Sequence, residues 1–276
     1  MKKSLIKLLS LTLILTLGTA LVGCEASGKQ TVGNVGDDKV IKIGVSPEPH
    51  KAIVEKAMKP LLEADGYTVE LVEFTDYVLP NTALAEGELD ANYFQHVPFL
   101  ETTIQEKSYE LTYTAKVHIE PMGLYSDKIT DIADISEGAE IAIPNDPSNG
   151  SRALKILDDK GIIEIPDGNL VTAKDITSNP KNIKITELDP EQLPRTLKDV
   201  EVAVINTNYA LEGGLNPLTD ALLLESGDSP YANIIAVRED NKDSEKIKAL
   251  TKAATSEEVK KYIEDTYKGA IVAASY

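Results

Sequence analysis

The sequence predicts an α/β protein built as two α/β units in series, a two-lobed body with a ligand cleft between the lobes. Three observations predict it. Short β runs alternate with helical periodicity from Val40 onward, and the series restarts after Met122-Gly123-Leu124-Tyr125-Ser126. Polar clusters then fall just after the ends of apolar runs, as QH after the third, PNDPSNGSR after Ile143 and NTN after Ile205. In open parallel sheets the ligand sits beyond the carboxyl ends of the strands, where these clusters lie.

Taken in order, the chain opens with a basic start at Lys2, Lys3 and Lys7, an apolar stretch from Leu8 to Val22, and then Gly23-Cys24. That is the pattern of a secretory signal, and the run is too interrupted by Ser10, Thr12, Thr16, Gly18 and Thr19 to be a plain spanning helix. Cys24 is the only cysteine and stands where a lipoprotein signal places the thiol that receives diacylglycerol. Residues 1–23 are therefore expected to be a removed signal peptide and Cys24 the lipidation site. Residues 24–39 are polar and glycine-containing, a flexible tether.

Val40 to Val45 reads as a strand, followed by a helix with Ile53, Val54, Ala57, Met58, Leu61 and Leu62 at helical spacing and a stop at Gly66. Thr68 to Phe74 is the second strand. Pro80 opens a helix to about Glu86, Gly87 stops it, and Leu89 to Phe94 is the third strand. Such a β-α-β-α-β run argues for a parallel sheet. The second series has Ile141 to Ile143 as a buried strand, a helix from near Ser151 to Gly161, a strand from Val200 to Ile205, and a helix from about Asn208 to Glu212. Asn233 to Val237 is a late strand. Two helices close the chain, the second capped by Thr255 or Ser256 with Glu258 in its first turn.

Charge excludes some partners. The full chain has a formal net charge of −17, and loss of three lysines with the signal leaves 25 basic against 45 acidic side chains, or −20. Such a body is repelled by nucleic acid and by anionic lipid, so membrane association must come from the lipid on Cys24. Chemistry is equally bounded. His50, His96 and His118 have no metal-ligand spacing, and no Gly-x-Ser-x-Gly elbow, Walker loop or dinucleotide fingerprint is present. No catalytic residue, metal site or cofactor is expected, and the abundant carboxylates read as a solvated surface. A surface-anchored hydrolase is the remote alternative.

Three clusters remain. PNDPSNGSR joins a strand to a helix start, where free N–H groups and Arg152 suit a carboxylate; an ordinary capped helix with an exposed arginine fits as well. Tyr77 and the run Tyr93-Phe94-Gln95-His96-Val97-Pro98-Phe99 gather aromatic rings in a protein with three phenylalanines and no tryptophan, either as a binding wall or as core. Asn206 and Asn233 flank buried strands, and their amides can hold an ammonium group or cap a turn. His118 and Glu120, near the presumed hinge, each either face the cleft or simply finish a strand, and the latter is the favoured reading.

In FTDYVLPN, DANYFQHVPFL, AIPNDPSNGSRAL, NPKNIKITELDPEQLPRTL, AVINTNYALEGGL and SPYANIIAVRED the sequence resembles the methionine-binding lipoproteins of ABC importers, the NlpA family. The matching stretches span nearly the whole body from Val40 to Gly269. The resemblance implies a two-lobed, periplasmic-binding-protein-like (type II) fold, with one lobe at 40–123 plus 235–276 and the other at 124–234. It implies an aromatic cage of Tyr77, Phe94, His96 and Phe99 around a thioether, and carboxylate and ammonium contacts from Asn149, Arg152, Asn206 and Asn233. Members often carry tyrosine where this chain has Phe99, which removes a hydroxyl from the pocket rim. The implied protein is a lipid-anchored, extracytoplasmic monomer that binds methionine and meets an importer's permease and ATPase. The alternatives are a methionine-containing dipeptide or another amino acid.

Overall fold

The computed structural model describes residues 39–227 and 229–274. The expected signal at 1–23, Cys24, and all of the tether but Lys39 lie outside the described residues.

β1 (Val40–Val45) leads through helical turns at Pro47–Lys51 and Val54–Met58 into α1 (Lys59–Ala64); β2 (Thr68–Glu73), α2 (Leu79–Ala85) and β3 (Ala91–Tyr93) follow. β1 pairs in parallel with both β2 and β3, as the β-α-β-α-β pattern requires. β3 is shorter than expected, because Leu89 turns into the core and the chain breaks from the ladder at Phe94. The stop at Gly87 is as read: its φ of +79° is a conformation that only glycine adopts without strain.

Two further elements follow: α3 (Val97–Lys107), which was not expected from the sequence, and β4 (Leu111–Ile119), expected only as a strand finishing near His118. The chain then enters a second sheet with β5 (Gly123–Tyr125), β6 (Glu140–Pro144), α4 (Pro147–Asp159), β7 (Lys184–Leu188), α5 (Leu193–Thr196), β8 (Val202–Ile205), α6 (Thr207–Glu212), α7 (Pro217–Asp220) and β9 (Leu223–Leu224). It returns to the first sheet through β10 (Ala232–Arg238), α8 (Glu245–Ala254), α9 (Glu257–Tyr267) and β11 (Val272–Ala273). Ser256 caps α9 by accepting from the Val259 N–H at 3.3 Å, with Glu257 and Glu258 in the first turn. Among the described residues no helix is long and apolar enough to cross a membrane.

The two sheets have strand orders β11-β4-β10-β3-β1-β2 and β7-β6-β8-β5-β9. Each is covered on both faces, and the period of two along its central strands feeds two cores. In β10, Ile235 and Val237 join a core with Ile41, Ile43, Met58, Leu250 and Ile263, while Ile234 and Ala236 join Leu84, Leu89 and Leu100 on the other face. In β6 and β8, Ile141, Ile143, Val202 and Val204 pack on Leu154 and Leu157 of α4. Ala142, Ala203 and Ile205 pack with Leu193, Leu197 and Tyr209 on the opposite face. Double coverage of this kind explains why the strands read as near-continuous apolar runs.

The helix after β6 begins at Pro147 rather than near Ser151. Asp146 is its cap, accepting from the Asn149 N–H at 2.9 Å, and Pro147 suits the first helical position because it has no N–H to leave unpaired. Gly150 makes the close approach possible, since a Cβ there would meet the Pro144 carbonyl oxygen at 2.9 Å. The earlier start puts both Asn149 and Arg152 on the first turns of α4, aimed across the strand ends.

Candidate ligand-binding cleft

The carboxyl ends of β1, β3, β6 and β8 deliver Ser46, Phe94 to His96, Asp146 and Asn206. β10 runs antiparallel to β3, so its second residue, Asn233, arrives at the same end, where it bridges His96. All eight residues singled out from the sequence (Tyr77, Phe94, His96, Phe99, Asn149, Arg152, Asn206 and Asn233) line one cavity of about 330 Å³, part of it open to solvent. Gln95, Glu120, Thr207 and Asn208 line it too.

One end is aromatic. The Tyr77 ring lies 5.9 Å from Phe94 and 5.7 Å from Phe99, and Phe94 and Phe99 meet edge to face at 6.0 Å. Tyr77 is also tied across the cleft, donating its hydroxyl proton to Asn208 Oδ1 at 2.5 Å and stacking on Tyr209 at 4.9 Å. Behind the wall, Gln95 donates to Asn81 and Asn92 and accepts from Asn81, a closed amide network that fixes the end of β3 against α2.

The other end is polar, and its hydrogen-bond inventory separates braces from free groups. Asn149 is a brace. Its amide NH₂ donates to Asp146 at 2.9 and 3.1 Å, while its Oδ1 accepts from His96 Nε2 at 3.0 Å and Asn206 Nδ2 at 2.8 Å, so no polar capacity remains. His96 is a second brace: Nδ1 accepts from the Phe99 N–H at 3.2 Å, which places the proton on Nε2 for Asn149. Burial, with the Arg152 charge adding to it, lowers the His96 pKa to about 3 and keeps the ring neutral.

Arg152 is buried rather than exposed, with 3% of its surface accessible. Nε donates to Glu225 Oε1 at 3.2 Å, Nη2 bonds Glu225 Oε2 and donates to the Glu120 carbonyl at 2.8 Å, and the guanidinium lies 4.1 Å above the Tyr231 ring. Nη1 has no partner among the described residues, leaving two donors for a carboxylate in the cavity. Asn206 does not cap α6; its Nδ2 goes to Asn149, and its buried Oδ1 has no partner. Asn233 Oδ1 faces His50 Nε2 at 2.9 Å, which turns its NH₂ the other way.

His118 lies at the end of β4, as the favoured reading has it, whereas Glu120 takes the other reading: both are buried, and Glu120 forms part of the cavity wall. Its Oε1 faces His118 Nε2 at 2.7 Å and His50 Nε2 at 3.2 Å, and its Oε2 accepts the Asn208 N–H at 3.0 Å. The histidines that look scattered along the chain are brought to 5.1 Å between ring centroids. The donor atoms of His50, His118 and Glu120 all lie within 4.8 Å of one another, a set able to hold a metal ion, but their hydrogen-bonding sites already face each other and Asn233. Glu120 was named but its place in the cleft was not favoured, because its partners lie 70 and 88 residues away at His50 and Asn208; the closeness of His118 to Glu120 was the one local signal. Glu225 was missed for the same reason, since it approaches Arg152 only through β9 and the turn after it.

Two α/β sheets with a polar and aromatic cleft at their strand ends define a two-lobed substrate-binding protein. The chain belongs to the NlpA lipoprotein family, whose model matches residues 41–275. It is 43% identical over 257 residues to the D-methionine-binding lipoprotein MetQ of Salmonella typhi, covering 92% of both chains. A nutrient binding protein from Burkholderia cenocepacia bound to methionine superposes with a TM-score of 0.82 at 46% identity, over 85% of this chain and all of that one. A periplasmic substrate-binding protein of an ABC transporter from Coxiella burnetii gives 0.81 at 43% identity, with the same coverage.

Proposed function

We propose that the protein is an extracytoplasmic, lipid-anchored binding protein that captures methionine and delivers it to an ABC importer, with no chemistry of its own. The observation that carries the ligand reading is the set of groups left free in the cleft. Arg152 Nη1 and the Asn233 NH₂ offer donors for a carboxylate, and Asn206 Oδ1 and the remaining capacity of Glu120 offer acceptors for an ammonium. Tyr77, Phe94 and Phe99 then supply the polarizable wall that a thioether favours, at about 0.3–1.5 kcal/mol per aromatic contact. Family membership and the methionine-bound relative support the same ligand.

Three cross-cleft contacts describe a closed form: Tyr77 to Asn208, Tyr209 to the Thr75 carbonyl, and His96 to Asn149. Ligand groups that bridge the same two walls favour this form over an open one, and a membrane partner can sense that difference. The lobes divide where the chain changes sheets, between Ile119 and Gly123 and again between Leu224 and Ala232.

Native mass spectrometry of the full chain, released from detergent and purified without added ligand, tests the reading. The expected result is one bound methionine, displaced in a titration by neither charged amino acids nor methionine dipeptides at equal concentration. An empty protein that takes up a dipeptide or another amino acid in preference would overturn the ligand and retain the fold.

A further inference from the structure

Behind the cleft wall lies a buried chain of side chains that the ligand reading leaves without a role: Ser46, His50, His118 and Tyr93, joined through Glu120. No cation pairs with the Glu120 carboxylate; Arg152 bonds its backbone carbonyl and gives its charge to Glu225. The carboxylate is held instead by N–H groups, from His118 at 2.7 Å, Asn208 at 3.0 Å and His50 at 3.2 Å. Each imidazole is fixed from behind by a hydroxyl, His50 Nδ1 by Ser46 Oγ at 2.6 Å and His118 Nδ1 by the Tyr93 hydroxyl. With acceptors facing both Nε2 atoms, both rings carry their proton there, and Ser46 and Tyr93 donate to Nδ1.

We infer that His50 and His118 are positioning residues that hold Glu120 as an anionic acceptor aimed at the ligand's ammonium, so that the cleft selects primary amines over otherwise identical acids. The inference rests on the amino-acid reading above. A flipped ring would present a C–H to the carboxylate and the other tautomer a lone pair, and the two hydroxyls on Nδ1 oppose both. His50 also holds Asn233 Oδ1, so one ring orients both the acceptor for the ammonium and an amide offered to the carboxylate. Burial lowers His50 to about pKa 4 and His118 to about 3, which keeps both as neutral donors. Burial also raises Glu120, an effect opposed by the Asn208 N–H and by the neighbouring His50 and Arg152. A buried carboxylate with only neutral donors around it is best matched by a ligand bringing one positive charge.

Isothermal titration of the full chain with L-methionine and with its desamino analogue, 4-(methylthio)butanoate, tests this. Removing a hydrogen bond to a charged group is expected to cost about tenfold or more in methionine affinity. His118→Leu should show that loss and leave desamino binding unchanged, whereas His118→Gln, which keeps an N–H near the Nε2 position, should recover most of it. Tyr93→Phe gives a second route should the leucine variant fold poorly, and its smaller loss should again be confined to methionine. Equal losses for both ligands, or glutamine no better than leucine, would overturn the positioning role while leaving the cleft reading intact. A wild-type protein that binds the desamino acid as well as methionine would overturn it too. Wild-type protein binding neither ligand would overturn the amino-acid reading itself.

Discussion

The two ends of the cleft are built by different means. At the polar end the groups are held by hydrogen bonds, and His96, Asn149 and Asn206 form one connected run that crosses the cleft at His96. At the aromatic end Tyr77, Phe94 and Phe99 are held by ring contacts near 6 Å, and Tyr77 and Phe99 remain partly exposed. Directional bonds fail when one partner is lost, because a buried group is left unsatisfied, whereas packing degrades by degrees. The polar end should therefore decide whether a ligand binds, and the aromatic end which side chain it carries.

The largest effect is expected at Arg152. Arg152→Ala should weaken methionine binding by at least about a hundredfold, since charge-assisted hydrogen bonds contribute about 1.5–3 kcal/mol each. It should also cost about 3 kcal/mol of stability by leaving Glu225, 14% exposed at its side chain, without its cation. Adding Glu225→Gln should restore much of the denaturation midpoint and none of the binding. Restored binding in that double variant would break the contrast drawn here. Next comes Gly150→Ala, which pushes a Cβ against the Pro144 carbonyl and should cost about 1–3 kcal/mol in chemical denaturation while tilting Arg152 away from the cleft.

At the aromatic end the response should be smaller and graded. Phe94→Leu keeps an apolar wall and is expected to weaken methionine binding by no more than about tenfold, with a smaller change for norleucine, which lacks the sulfur. A loss as large as that of Arg152→Ala would erase the distinction between the two ends. A last effect bears on stability alone and is a slope. His96 is neutral when folded down to about pH 3 but takes a proton near pH 6.5 when unfolded, so it removes stability as pH falls through that window. His96→Gln should flatten the pH dependence of unfolding between pH 6.5 and 4 by an amount approaching about 1.4 kcal/mol per pH unit. An unchanged slope would place the ring in contact with water.

Legibility in the sequence follows the same division. β1, β2, β3, β6, β8 and β10 are visible because their cores demand apolar runs, and Pro80, Gly87 and Ser256 punctuate the helices as local chemistry dictates. β4 was read only at its end near His118, although Leu111, Tyr113, Ala115, Val117 and Ile119 alternate with polar residues as in a half-buried strand, and its place in the sheet comes from pairing with β10 more than 110 residues on. Seven of the eight cleft residues sit at a strand end or on the first turns of a helix, positions that sequence pattern locates, and Tyr77 joins them from the loop between β2 and α2. Their division into braces and free groups was not legible. Asn149 and Asn206 are the same residue type at similar positions, and only the folded hydrogen-bond pattern gives Asn149 Oδ1 two donors and leaves Asn206 Oδ1 open. Glu225 was hidden among 45 acids, and for Glu120 the neighbouring His118 was the one local mark of an acid that folding buries.

The most direct test of the polar end as the deciding one is a titration of the full chain with L-methionine, its methyl ester, its desamino analogue and norleucine. The expected result is a loss of at least about a hundredfold for the ester and the desamino acid, each of which leaves a buried group unpaired, and about tenfold or less for norleucine. An ester or desamino acid bound as tightly as methionine, with norleucine rejected, would contradict it and move the determinant to the aromatic wall.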